Sequence, residues 1–211
     1  MSNMIGRFFD IQRFVLWSDE ALESGDQNNK PRLVLSFRDG HPRITVYTGI
    51  NSKEGVISFP SDYPTMTYIF NVLKEVANSE PGVKFVVDSL TNSYGEDGKP
   101  TGDKKLVSKL FVGKSKSGVV YLSVISEDKP KIVFPIKPSP YHVFRDSENN
   151  EIPEEVISSK LAIGIADLAL GILANAIIQH ANEQIGSKSP NKLNGKIETI
   201  TNIESIDDLD I

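Results

Sequence analysis

Two stretches of apolar and β-branched residues, each broken by a glycine turn, constrain the fold of this chain more than any other feature. Residues 32–49 read RLVLSFRDGHPRITVYTG, with Asp39-Gly40 between two alternating runs. An Asp-Gly pair in this setting strongly predicts a β-hairpin. Residues 106–126, LVSKLFVGKSKSGVVYLSVIS, repeat the pattern around Ser117-Gly118. The sequence therefore predicts two antiparallel hairpins.

Each predicted hairpin is followed by a further strand and then by a helix. In the first unit GVISFPS leads into a helix over 61–78, and in the second KIVFPIKPS precedes a helix that begins after Pro153. An ungapped shift of 78 positions gives seven identities over residues 33–63, where average residue usage predicts about two. We predict an α+β fold with duplicated β-β-β-α units at about 30–80 and 105–185, their antiparallel sheets packed on helices. The alternative is that two amphipathic hairpins share valines and glycines by chance.

Three segments outside these units have weaker patterns. Residues 7–17 are rich in aromatic and branched side chains and predict a strand or a short helix. Residues 83–91, VKFVVDSLT, predict a strand. Residues 92–105 are rich in glycine and lysine and predict a mobile loop.

The second helix, predicted over 154–185, is unusually apolar. Fourteen of the 18 residues from Leu161 to Ile178 are hydrophobic, but Asp167 and Asn175 interrupt the run and argue against a membrane span. Gly164, Asp167, Gly171 and Asn175 are spaced as one small and polar stripe. The other sides predict burial over most of the circumference, either as a central helix or in a subunit interface. We favour a homo-oligomer formed through this helix.

The charge of the chain is divided unevenly. Residues 197–211 hold five acidic residues and no Lys or Arg, so that residues 1–196 contain 23 acidic and 23 basic residues. Residues 30–145 hold 17 Lys and Arg against 11 Asp and Glu. We therefore predict a core over 1–185 with a basic middle, a flexible linker at 186–196 and a disordered acidic tail at 197–211.

Several classes of function find no support in the sequence. The chain has no cysteine, which excludes disulfides and thiolate metal sites and is typical of a reducing compartment. Its three histidines lack zinc-binding spacing, the GEDGK at 95–99 lacks a phosphate-loop frame, and no nucleophile elbow occurs. We predict a non-enzymatic protein without metal or cofactor, with no signal peptide, in the cytoplasm (the host cytoplasm if phage-encoded).

The strands of both hairpins carry cations and aromatic rings on one face. Alternation places Arg43, Thr45 and Tyr47 opposite Ile44 and Val46. In the second hairpin it separates Lys109, Phe111, Tyr121 and Ser123 from Leu110, Val112, Leu122 and Val124. Cations neutralise phosphates and flat rings stack on unpaired bases, which is the chemistry of sequence-tolerant single-strand binding. An ordinary solvated sheet face remains the alternative.

Two resemblances favour the first interpretation. The acidic tail with its hydrophobic end, IDDLDI, is similar to the tails of bacterial and phage single-stranded DNA-binding proteins, which recruit partners and compete with DNA; a merely solubilising tail is the alternative. Residues 54–77, EGVISFPSDYPTMTYIFNVLKEVA, resemble the strand-to-helix segment of the positive-cofactor and whirly families of single-stranded DNA-binding proteins. The tail, size and linker also resemble phage proteins that coat single-stranded DNA and recruit a phage RNA polymerase.

These patterns and resemblances together predict a sequence-tolerant single-stranded DNA-binding protein that acts in phage replication or transcription. The predicted DNA-binding residues are Arg38, Arg43, Tyr47, Lys53, Lys105, Lys109, Phe111, Lys114, Lys116, Tyr121 and Lys131. The predicted partner-binding residues of the tail are Asp207, Asp208, Leu209, Asp210 and Ile211, and their expected partners are a phage RNA polymerase or replication proteins. The alternatives are a structural or assembly protein that oligomerises through the apolar helix, and an adaptor that uses the tail alone.

Overall fold

The computed structural model describes residues 15–20, 22, 30–50, 55–95, 98–127 and 129–187, with side chains of the last helix described as far as Gln179. The first sheet is antiparallel and consists of β1 (Leu16–Trp17), β2 (Arg32–Arg38), β3 (His41–Tyr47) and β4 (Val56–Pro60). It is followed by α1 (Tyr63–Asn78). The second sheet, also antiparallel, consists of β5 (Lys84–Tyr94), β6 (Pro100–Lys114), β7 (Val120–Ser126) and β8 (Ile132–Pro135), and it is followed by α2 (Glu154–Ser187).

The predicted α+β class is confirmed, but the predicted composition of the units is not. Each helix follows four strands rather than three, because β1 joins the first sheet and β5 joins the second. The prediction of a mobile loop at 92–105 was wrong: β5 and β6 pair through most of this region and form a long two-stranded ribbon. Lys104 and Lys105 pair there with Asn92 and Thr91, and cross-strand hydrogen bonding overrides weak local preference.

The first hairpin forms at the predicted turn. Asp39 and Gly40 both have positive φ, 52° and 77°, which is the backbone of the two-residue turn that matches strand twist. The register places Ile44 opposite Leu35 and Val46 opposite Leu33, so these apolar side chains share one face. That face is buried in the core. The alternation predicted for β3 is therefore confirmed.

Helix α1 has a cap at each end. The carboxylate of Asp62 accepts a hydrogen bond from the backbone N–H of Thr65 at 2.7 Å, and Pro64 stands in the first turn, where its missing N–H is harmless. At the other end the ammonium of Lys114 donates to the carbonyl oxygens of Ala77 and Ser79, at 3.1 and 2.9 Å. A cation there opposes the negative end of the helix dipole.

Helix α2 buries one narrow stripe against the rest of the molecule. Between Leu161 and Gln179 the fully buried residues are small with one exception: Ala162, Ala166, Ala169, Leu173 and Ala176. Alanines allow α2 to lie close against α1, and an ion pair of 2.7 Å joins Lys74 of α1 to Asp167 of α2. Leu168, Ile177 and Ile178 are exposed. Among the described residues, α2 is buried on the side that packs on α1, so burial over most of the circumference as a central helix is not found there, and burial in a subunit interface stays a prediction.

The length and composition of Glu154–Gln179 would also allow this helix to cross a membrane. In the described structure its alanine stripe belongs to the same buried cluster as α1 and both sheets. Residues 186–187 of the predicted linker at 186–196 belong to α2, and its remaining residues and the tail at 197–211 lie outside the described residues.

The two sheets meet at the edge of β4. Three of its carbonyl oxygens, those of Val56, Ser58 and Pro60, accept hydrogen bonds from side chains of the second unit. The donors are Lys129 at 2.6 Å, Ser108 at 3.0 Å and Ser89 at 3.3 Å, in the same order. These donors satisfy an edge that would otherwise present unpaired backbone groups.

Candidate functional site

The outer face of the second sheet combines aromatic rings with lysines. We use this name for the face opposite the buried side chains Leu110, Val112, Leu122 and Val124. Because side chains alternate along each strand, the register brings together on it Lys84, Val86 and Asp88 of β5, Lys109 and Phe111 of β6, Tyr121 of β7 and Val133 of β8. Lys131 precedes β8 at the same side.

Phe111 lies at the centre of this face. Its ring is half-buried, and the ammonium groups of Lys84 and Lys131 each lie 5.7 Å from the ring centroid. Both distances are within the range of cation–π attraction. An aromatic surface between two cations therefore stands on a sheet face that solvent can reach.

Tyr121 lies beside Phe111, in the next row of the sheet. It is paired with Gly113, and its side chain covers that glycine so closely that a methyl group at 113 would stand 2.5 to 2.9 Å from the hydroxyl oxygen and two ring carbons. Glycine is therefore what permits the ring to lie flat on the sheet. The outer face thus carries two half-buried rings in neighbouring rows of the sheet.

Other polar groups of this region already have partners. The ammonium of Lys109 lies 3.4 Å from the carboxylate of Asp88, and that of Lys105 lies 3.8 Å from Glu127. Both ion pairs are exposed, so they compete only weakly with a phosphate. Ser123 is buried and donates to the carbonyl oxygen of Ile132 at 2.6 Å, so its hydroxyl is not part of the surface.

The corresponding face of the first sheet is more closed. Val34 and Thr45 are buried there, and the Thr45 hydroxyl is hydrogen-bonded to that of Ser36 at 2.9 Å. At one end of the face the guanidinium of Arg32 covers the Tyr47 ring at 4.9 Å from the centroid. The cation, hydroxyl and aromatic ring that were predicted for this face are present, but Thr45 is buried and the Tyr47 ring is covered by Arg32.

Arg43 occupies the other end of that face. Burial, and then the nearby charge of Arg38, lower the pKa of its guanidinium below its usual range. Its Nε atom is buried and has no hydrogen-bond partner among the described residues. Arg38 itself is exposed and lies 3.6 Å from the carboxylate of Asp39.

Of the other predicted residues that the structure describes, Lys105 borders the outer face of the second sheet, whereas Lys114 and Lys116 lie away from both faces. Lys114 points to the buried side, where it caps α1. Lys116 is exposed in the turn between β6 and β7, and Lys105 lines a shallow pocket together with Lys109 and Glu127. Lys53 and the tail residues 207–211 lie outside the described residues.

Two residues of these faces were missed by sequence reasoning. Arg32 has the same strand parity as Arg38 and could have been found from alternation along β2 alone. Lys84 could not, because its approach to Phe111 depends on the pairing of β5 with β6, which brings together residues 27 positions apart.

A cleft of about 1030 Å³ lies between the first sheet, α2 and the segment that follows β8. Its walls include Leu33, Ile44 and Leu122. The ammonium of Lys137, in the same cleft, is held by Asp19 at 3.0 Å, and this hydrogen bond raises its pKa. In the described part of the chain no group of three or more His, Cys, Asp or Glu residues is arranged to hold a metal ion.

Comparison with known proteins adds no relative: no family model, no curated protein and no solved structure matches this chain.

Proposed function

We propose that this protein binds single-stranded DNA without strong sequence preference, and that it acts in phage replication or transcription as a binding protein rather than an enzyme. The observation that carries the proposal is the half-buried ring of Phe111 between the ammonium groups of Lys84 and Lys131. Unpaired bases stack on such rings, while the flanking cations neutralise phosphates.

The outer face of the second sheet is the principal binding surface in this proposal. Phe111 and Tyr121 provide neighbouring stacking positions, and base–aromatic stacking contributes about 1–3 kcal/mol per base. Lys84, Lys109 and Lys131 contact the backbone. Three neutralised phosphates on a single strand correspond to a slope of about −2 in a plot of log affinity against log salt concentration.

On the first sheet Arg38, Arg43, Tyr47 and the unpredicted Arg32 form a second, weaker surface. Tyr47 becomes available for a base only if Arg32 moves from its ring. We therefore assign most of the affinity to the second sheet.

We further propose that the two units arose by duplication and resemble the units of the whirly family. Each unit consists of four antiparallel strands followed by a helix, and the two hairpin turns lie 78 positions apart. The helices do not follow that offset: α1 begins at Tyr63 and α2 at Glu154, 91 positions later. An insertion after β8 accounts for the extra 13 residues.

The acidic tail is proposed to bind a partner protein and to compete with DNA. A tethered anionic segment is present at high effective concentration near a basic face, so that DNA must displace it. A phage RNA polymerase or a replication protein is the proposed partner, and the cytoplasm of the host is the proposed compartment.

Fluorescence anisotropy with labelled oligo-dT at several salt concentrations tests the DNA proposal. We expect Phe111→Ala and Tyr121→Ala each to weaken binding by about tenfold, the effect of about 1.4 kcal/mol of lost stacking. Tyr141→Ala, which removes a ring that is 91% exposed elsewhere, is the matched control and should bind like the parent chain. No binding of oligo-dT at low salt, with or without the tail, refutes the proposal.

A lysine pair tests the phosphate contacts separately. Lys131→Ala should make the salt slope shallower by about 0.7, because one phosphate contact is lost. Lys160→Ala removes an equally exposed lysine from α2 and should leave the slope unchanged. Equal slopes for both variants would exclude a role of Lys131 in binding.

The tail is tested by a chain that ends at Gly195. If residues 197–211 compete with DNA, the shortened chain binds oligo-dT more tightly than the full chain, and the difference decreases at high salt. Equal affinities would refute competition but not DNA binding.

The second candidate function is assembly through α2. The observation that favours it is that Leu168, Ile177 and Ile178, three large apolar side chains of α2, are exposed. Sedimentation velocity of Leu168→Gln and Ile178→Gln distinguishes the candidates: loss of a self-associated species with unchanged oligo-dT binding supports a separate assembly role for α2.

A further inference from the structure

The outer edge of β5 is a long strand edge with no partner among the described residues. β5 is the first strand of the second sheet and pairs only with β6. It has 11 residues, and four of its large hydrophobic side chains are well exposed: Phe85 at 37%, Val86 at 46%, Leu90 at 55% and Tyr94 at 62%.

The backbone groups of this edge are oriented for pairing. The N–H of Lys114 in β6 donates to the carbonyl oxygen of Val83 at 2.9 Å, and the carbonyl oxygen of Lys114 accepts from the N–H of Gly82, so the Val83 carbonyl just before β5 is directed towards β6. Hydrogen-bonding direction alternates along an antiparallel strand, so Phe85 and Val87 also face β6. Lys84, Val86 and Asp88 therefore direct their N–H and C=O groups to the free edge.

This edge lacks most of the features that normally prevent strand addition. Natural edge strands are protected by proline, by bulges, by short length or by several charges. β5 contains no proline, and its register with β6 first shifts only between Ser89 and Leu90. Lys84 and Asp88 are its only charged residues, and they have opposite signs.

We propose that β5 pairs with β5 of a second copy of this chain, antiparallel, about a two-fold axis at Val86. In this register Val86 faces Val86, and Lys84 of each copy faces Asp88 of the other. A two-fold axis at Lys84 or Asp88 would instead place like charges opposite each other, and one at Phe85 or Val87 would leave both charges without a counter-charge. Of the five axis positions from Lys84 to Asp88, the one at Val86 thus brings the opposite charges of the two copies together.

The product is a continuous eight-stranded sheet with an isologous interface. Lys84, which stands 5.7 Å from the Phe111 ring centroid, lies at the junction. The outer faces of the two copies would therefore form one continuous surface. This pairing does not depend on DNA binding, and it uses a different surface from the exposed side of α2.

Charge reversal on the full chain tests the register. In sedimentation equilibrium we expect the parent chain to form dimers. Lys84→Glu alone and Asp88→Lys alone should each weaken dimerisation by about tenfold, because each places two pairs of like charges opposite each other. The double variant Lys84→Glu with Asp88→Lys restores opposite charges and should regain the dimer, which also shows that the single variants are not merely misfolded.

Cross-linking gives an independent measurement, because the chain contains no cysteine of its own. Residues directly opposite each other in a hydrogen-bonded pair have Cα atoms about 5.5 Å apart, within the range of a disulfide. Mild oxidation of Val86→Cys should therefore produce a covalent dimer. Val133→Cys, at a valine of β8 that is 40% exposed against 46% for Val86, is the matched control and should remain monomeric.

A monomeric parent chain would overturn the proposal. So would a dimer that both single charge variants leave intact, since that dimer would use another surface. Equal cross-linking of Val86→Cys and Val133→Cys would indicate random collision and would overturn it as well.

Discussion

The hydroxyl of Ser108, in the middle of β6, donates a hydrogen bond to the backbone carbonyl oxygen of Ser58 in β4, at 3.0 Å. The serine is fully buried and belongs to the second sheet, while its acceptor belongs to the edge of the first. One side chain thus joins the two sheets, through two serines that lie 50 positions apart in the sequence. The face that carries Phe111 and Tyr121 keeps its position relative to the first sheet partly through this bond.

Ser108→Ala should destabilise the protein by about 1 kcal/mol, because it leaves the Ser58 carbonyl oxygen without this donor. Urea unfolding measures the change. Ser117→Ala, in the exposed turn between β6 and β7, is the control and should stay within about 0.5 kcal/mol of the parent chain. Equal effects of the two substitutions would contradict a joining role of Ser108.

Ser158→Ala should lower the free energy of unfolding by about 2 kcal/mol. Its buried hydroxyl accepts a hydrogen bond from the buried N–H of Val120 at 2.8 Å, and an unpaired buried N–H carries a desolvation penalty of about 1–3 kcal/mol. The adjacent Ser159 is a close control, since Ser159→Ala changes a half-exposed residue in the same turn of α2. Alanine is the better helix former, so that variant should be neutral or slightly stabilised in the same unfolding measurement.

Asp62 should make stability depend on acid pH. The hydrogen bond from the backbone N–H of Thr65 lowers the pKa of this carboxyl below its ordinary value of 3.8, so the folded state binds its proton less readily than the unfolded state. The stabilisation of the folded state by the ionised Asp62 carboxyl is therefore complete above about pH 4 and is lost as the pH falls through the folded-state pKa. Asp62→Ala should cost about 1 kcal/mol at pH 7, and the cost should shrink towards pH 2.

The control for this pH dependence is Asp62→Asn, which keeps an oxygen acceptor that does not titrate. Relative to the parent chain it should gain stability as the pH falls from 4 to 2. Thermal unfolding of the three proteins across this interval measures both differences. A pH-independent difference between Asp62→Ala and the parent chain would disprove the assignment.

Gly113→Ala should weaken DNA binding with little loss of stability. The added methyl group would collide with the far end of the Tyr121 side chain, which can rotate away, and its three nearest contacts are all atoms of that side chain. The ring then leaves its place beside Phe111. Affinity for oligo-dT should fall towards that of Tyr121→Ala, and adding Gly113→Ala to Tyr121→Ala should have no further effect. A further loss in the double variant would count against this coupling.

Local sequence determined a large part of the fold. Asp39-Gly40 determined the first hairpin because few residues accept two successive positive φ angles, and Asp62 with Pro64 determined the start of α1 through capping. Alternation along β3 and β6 then determined which side chains share a face, since strand periodicity is a property of the backbone itself.

Tertiary pairing decided the rest. The ribbon at 92–105 forms because β5 and β6 satisfy each other's backbone groups, which no local preference of its glycines and lysines indicates. Lys114 became a helix cap rather than a surface cation, and Thr45 became buried, because of what packs against them. The sequence by itself determined the turns, the helix ends and the faces of the strands, which depend on neighbours in the chain. Only the tertiary structure decided that Lys84 and Lys131 flank Phe111, because that contact depends on register between strands that are distant in sequence.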